Sequence, residues 1–138
     1  MKALLTVTAV AEAGAGLALL CCPSVAASLL LGASLETSAA VTIGCIGGVA
    51  LLALGFASWF ARDDAGSRAA RGLIATMAGY NLGVALVLGA AGIQRRTVGI
   101  AFWPAVLFHA AMTAWCITSM RRRTPRGPVW PTEATTET

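Results

Sequence analysis

Four long stretches of this chain carry almost no charge, and that limits its fold more than any other feature. Residues 3–31, 38–61, 72–93 and 97–120 are apolar runs, each longer than the roughly 18 residues a helix needs to cross a bilayer. In hydrocarbon every backbone N–H and C=O must be satisfied within the segment, so each run is expected to be helical and an open sheet is excluded.

Composition agrees with this. Of the 138 residues 57% are hydrophobic and 12% charged, and the mean hydropathy is +0.76. A soluble domain carries roughly 25% charged residues, so there is too little polar surface here to wrap a water-facing globule. The expected fold is all-α: an integral membrane four-helix bundle over residues 1–123, followed by a short disordered cytoplasmic tail, 124–138, rich in Pro, Thr and Glu.

Lys2 and the small residues Val25-Ala26-Ala27 give the first run some features of a cleaved signal peptide. The run is longer than an h-region of about 7–15 residues and contains Glu12, so it is read as a retained span. Leu20 before Cys21 stands where a lipoprotein site would need a small residue.

Basic residues set the expected orientation. Lys2, Arg62, Arg68, Arg71, Arg121, Arg122, Arg123 and Arg126 fall on one side of the spans, and Arg95 and Arg96 on the other. Arginine and lysine concentrate on cytoplasmic loops, so both termini and the Arg62–Arg71 loop are expected in the cytoplasm of a bacterial inner (plasma) membrane, the protein being multi-pass. Trp59 and Trp115 then fall near the inner interface and Trp103 near the outer one, with Pro104 in the first turn of the fourth helix. This topology accounts for the net charge of +4 without nucleic acid. The expected partner is the lipid bilayer, whose anionic headgroups suit the arginines beside the last span.

Helices in lipid cohere through close backbone contact, which small residues allow. Candidates are Gly44 and Gly48 in the second run, Ala75, Gly79 and Gly83 in the third, and Ala110 and Ala114 in the fourth. The first offers Ala11 and Ala15, and Gly14 and Ala18. Such stripes serve a tight bundle or self-association equally well.

The sharpest feature is depth. Glu12 lies roughly 13 Å into the first span at about 1.5 Å per residue, His109 near the middle of the fourth, and Tyr80 and Asn81 near the middle of the third. An ionised carboxylate at that depth costs from about 2.5 to well over 10 kcal/mol. It must therefore be neutral, paired or in contact with a watery cavity. Glu12 is expected to face the interior and to hydrogen-bond His109, Asn81 or Tyr80, with Thr113, Thr76 and Met77 extending the same faces. Glu12, Tyr80, Asn81 and His109 form the candidate intramembrane site, or alternatively a structural pin between helices.

No catalytic motif, metal-ligand grouping or cofactor signature is present: there is no GxSxG, HExxH or phosphate-cradling loop. His109 is the single histidine, which disfavours haem. Cys21, Cys22, Cys45 and Cys116 lie in apolar runs without CxxC spacing and are read as small apolar residues.

Gly16-Leu17-Ala18-Leu19-Leu20 with Pro23 and Leu31-Gly32, Ala53-Leu54-Gly55 with Trp59, and Tyr80-Asn81 together resemble the small bacterial four-span proteins grouped around DoxX. That resemblance implies a membrane accessory subunit; the cysteine motifs of the group's redox members are missing. The Ala11-Glu12 pair in the first of four spans is similar to the small multidrug resistance transporters, which implies a carboxylate exchanging protons for cationic drugs. The third-helix aromatic-and-glycine pattern of that family is absent, and the eight-to-two charge bias departs from its antiparallel dimers.

The leading expectation is a non-enzymatic accessory or interaction subunit, in a larger membrane complex or self-associated through small-residue faces, with a buried polar cluster around Glu12. The alternative is a proton-coupled small transporter or channel in which Glu12 carries the proton. A membrane redox or quinone-interacting protein using Tyr80, His109 and the cysteines is a third.

Overall fold

Proline at position 23 decides how the first run folds. It has no N–H to continue the helical ladder and pushes the residue before it out of the helical region. Cys22 accordingly sits at φ −142° and ψ 60°, and the run divides into α1 (Lys2–Cys21) and α2 (Pro23–Leu31), with Pro23 in the first turn of α2 where it costs nothing. The Leu19 carbonyl, which would have received the missing N–H, is approached instead by the Cys45 thiol at 3.9 Å.

The structure is a computed structural model that describes residues 1–94 and 98–121. The expected tail 124–138, Arg95, Arg96, Arg122, Arg123 and the start of the fourth run lie outside the described residues. Beyond α2 come α3 (Ser38–Ala61), α4 (Arg68–Gln94) and α5 (Phe102–Arg121), and the described residues contain no strand. Thr37 caps α3 by accepting the Ala40 amide at 3.1 Å, and the Ser67 hydroxyl does the same for Ala70 at the start of α4. Pro104 falls in the first turn of α5.

Three helices, α1, α3 and α4, are long and apolar enough to cross a membrane. The fourth expected span, now α5, does not join them, because Pro104, His109, Thr113, Thr118 and Ser119 dilute its apolar content. The protein is a membrane protein by its helices, and its described residues form five helical elements where four spans were expected.

Helices α1 and α3 pack antiparallel with their backbones touching. A Cβ on Gly16 would lie 2.7 Å from the Gly48 carbonyl oxygen, and one on Gly48 would lie 2.9 Å from that of Gly16. Further along, a Cβ on Gly55 would stand 3.0 Å from the Ala13 amide nitrogen and 3.1 Å from the Ala9 carbonyl oxygen. Absent side chains let the helices approach, and dispersion over that contact supplies cohesion that lipid cannot. Gly48 was anticipated in this role; Gly16 and Gly55 were not. Among the described residues the expected stripe on α4 does not serve packing: Ala75, Gly79 and Gly83 are exposed, and nothing lies within 4 Å of a Cβ built on either glycine. Ala110 and Ala114 of α5 are exposed as well.

At one end of the bundle the interior is filled. Leu4 and Leu5 of α1, Ala70, Ile74, Met77 and Ala78 of α4, and Met112 and Cys116 of α5 form one buried cluster. At the same end Lys2 pairs with Asp63 in the α3–α4 loop at 2.8 Å, and Arg62 stacks on Trp59 at 3.1 Å. The Lys2 ammonium holds the Asp63 carboxyl below its usual range, chiefly through their hydrogen bond, with Arg62 adding to it. A depressed folded-state pKa gives stability above the ordinary carboxylate range that is lost as acid protonates Asp63. The pair is exposed, so Asp63→Asn should lower the melting temperature only slightly at neutral pH and low salt. In thermal melts that difference should vanish in high salt and at pH below the carboxylate range; a large effect in high salt would show that Asp63 does something else.

At the other end α2 folds back beside the start of α5. Gly32 ends α2 with φ 74°, the left-handed conformation that glycine adopts freely. The Ala101 amide donates to the Leu29 carbonyl at 2.9 Å, and a Cβ on Gly99 would overlap that same carbonyl oxygen.

Candidate functional site

Between these two ends lies a cavity of about 900 Å³ bordered by all five helices. Its wall is made of alanine, leucine, isoleucine, glycine, valine, proline and phenylalanine, and its polar residues are Glu12, Tyr80 and His109. Their position along each helix is consistent. Lining residues run from Ala11 to Leu19 on α1, from Tyr80 to Leu88 on α4 and from Pro104 to His109 on α5. In every case the polar residue stands at the end nearest the filled cluster. The cavity is thus an apolar vessel with a polar floor, sealed beneath by Leu4, Leu5, Ile74, Met77, Met112 and Cys116.

Glu12 is buried at 4% exposure, on the α1 face that also carries Leu4, Leu5, Thr8, Ala9 and Gly16. The Tyr80 hydroxyl donates to its Oε2 at 3.3 Å, joining α1 to α4. Among the described residues no other partner meets Glu12, so Oε1 is free.

His109 makes a separate connection. Its Nδ1 lies 2.7 Å from Asn81 Oδ1, joining α5 to α4, while Asn81 Nδ2 donates to the Met77 carbonyl of its own helix at 2.8 Å. A carbonyl can only accept, so the Met77 bond fixes which end of the Asn81 amide faces His109. The oxygen faces the ring, and Nδ1 must carry a proton. In a neutral imidazole Nε2 is then a bare acceptor. Tyr80 and Phe108 meet the His109 ring edge-on, with centroids at 6.0 Å and 5.6 Å, and hold it in place.

All four residues read from the sequence as one polar site come together, but as two pairs rather than one network: Glu12 with Tyr80, and His109 with Asn81. The proposed extension does not form. Thr76 is exposed and Thr113 is buried, and each donates to the carbonyl four residues earlier on its own helix, Thr76 at 3.1 Å and Thr113 at 2.9 Å. Cys21 and Cys22 are exposed, Cys45 half-buried and Cys116 buried, and all four thiols are free.

The chain matches no family model, no curated protein and no solved structure. Chemical reading of the cavity therefore rests on its own atoms. Glu12 Oε1 and the half-buried His109 Nε2 border the cavity without a protein partner among the described residues, so they favour an occupant that has a polar end. The remaining wall favours one whose body is apolar.

Proposed function

We propose that this protein holds a small amphiphilic molecule inside the membrane, apolar body in the cavity and polar head on the floor, with Glu12 changing protonation as the molecule enters or leaves. The observation that carries this reading is the placement of a buried carboxyl with a free oxygen at the bottom of an otherwise apolar cavity. In this reading α5 is a fourth crossing, and the excess of basic residues at the Lys2–Asp63 end supports a cytoplasmic side there, in an inner membrane. The cavity would then face the opposite leaflet. Binding and release from that side, coupled to a proton on Glu12, describe a small carrier rather than an enzyme.

The test fills the vessel. Ala105 lines the cavity one turn from His109, and Ala105→Trp should occupy the space above the imidazole. Protein purified in mild detergent and extracted with organic solvent should yield a co-purifying amphiphile near one equivalent from the parent and at least about tenfold less from Ala105→Trp, with unchanged helix content. Equal yields from the two proteins would refute the reading.

The outward small-residue face of α4 supports a second role. Ala75, Gly79 and Gly83 offer a backbone surface that is exposed among the described residues, and an accessory subunit could dock a larger membrane complex there. Gly79→Leu would break such an association while leaving the isolated protein folded.

A further inference from the structure

We infer that the head group this cavity takes is a hydrogen-bond donor, a hydroxyl or an amine, and that His109 Nε2 receives it. The inference rests on the amphiphile-binding reading above and adds the chemistry of the ligand. Its origin is the hydrogen bond from Asn81 to the Met77 carbonyl at 2.8 Å, which turns Asn81 Oδ1 toward His109 and commits the Nδ1 proton to it. Nε2 is left with a lone pair and no partner among the described residues, on a residue that lines the cavity.

Glu12 does not change this conclusion in either protonation state. Tyr80 spends its only proton on Oε2. If Glu12 is ionised, Oε1 is a second acceptor, and the floor suits an amine that donates to both residues. If Glu12 is protonated, Oε1 carries the proton, and the floor suits a hydroxyl that accepts from Glu12 and donates to His109. A head with acceptors only, such as an ether or a quinone, can accept from a protonated Glu12 but leaves the imidazole lone pair facing the cavity without a donor. That mismatch corresponds to about tenfold in affinity or more. His109 is then the specificity-determining residue, and Asn81 positions it by holding the tautomer.

Three probes of equal chain length separate the cases: hexadecanol, hexadecyl methyl ether and hexadecylamine, each titrated into delipidated full-length protein and read by native mass spectrometry. The alcohol or the amine should bind about tenfold tighter than the ether. Preference for the alcohol identifies a hydroxyl ligand and preference for the amine a cationic one. In His109→Phe the advantage of the better donor over the ether should shrink about tenfold. The comparison among probes on the parent protein does not depend on whether that variant folds. Ether binding as tight as both donors overturns the inference while leaving amphiphile binding in place. Failure of all three probes, together with no amphiphile co-purifying with the parent, overturns both.

Discussion

Gly48→Leu is expected to drive α1 and α3 apart and unfold the protein well below the temperature at which the parent melts. A Cβ at this position would lie 2.9 Å from the Gly16 carbonyl oxygen, 3.0 Å from Leu20 Cγ and 3.1 Å from Leu19 Cβ. Overpacking against side chains that can yield costs about 1–3 kcal/mol. Here the nearest neighbour is backbone, and a leucine adds three more carbons beyond the Cβ. Separating the helices would also release the Gly16 and Gly55 contacts, so the loss should reach about 3 kcal/mol or more, on the order of 10 °C in melting temperature. Gly47 is the control one residue away: nothing lies within 4 Å of a Cβ there, so Gly47→Leu should melt with the parent. Circular dichroism melts in one detergent decide the matter. If the two variants melt together, backbone contact is not what holds α1 to α3.

These glycines also mark what the sequence could and could not reveal. Helical spans were legible because hydrocarbon leaves an uncharged run of 20 residues no other hydrogen-bonded state. Small-residue stripes were visible too, but on α4 and α5 they point outward and on α1 the working glycine is Gly16. Abundant Ala and Gly on every face give no signal of azimuth, and only a neighbouring helix chooses the face. Pro23 was equally visible, yet hydropathy runs unbroken through it, so length alone reads residues 3–31 as one span. The break at Cys22 is a backbone effect that apolarity cannot register.

The candidate site follows the same division. Depth along a helix is a matter of counting, which is why Glu12, Tyr80, Asn81 and His109 could be grouped. Pairing depends on rotation and separation, and the structure joins Glu12 to Tyr80 and His109 to Asn81. The cavity had no sequence signature at all. It exists because α2, set off by Pro23, folds back against the start of α5 at Leu29, Gly99 and Ala101 and holds the helices open above the floor. Large side chains at Ala15, Ala18, Ala27 or Ala105 would have filled it, and a run of alanines reads from sequence only as packing.

Replacement of Glu12 should weaken binding, and the two obvious substitutions should differ in what they do to folding. Glu12→Gln keeps an oxygen that can accept the Tyr80 hydroxyl, so its melting temperature should stay close to that of the parent. Glu12→Ala leaves that hydroxyl unpaired and should cost about 1–3 kcal/mol of stability. Both lose the only acid of the cavity floor. Amphiphile binding in the parent should vary with pH, because Glu12 can gain or lose a proton while its cavity neighbours offer the ligand only Tyr80 and His109 as other titratable groups. In Glu12→Gln the binding curve should lose the acid's contribution and fall about tenfold or more at the parent's optimum. A membrane-soluble carbodiimide supplies an independent readout, since it modifies protonated carboxyls. It should label the parent at Glu12, slow down when the amphiphile is present, and fail to label that position in Glu12→Gln. Parent-like binding and pH dependence in both variants would reduce Glu12 to a helix-pinning residue and remove the carrier reading with it.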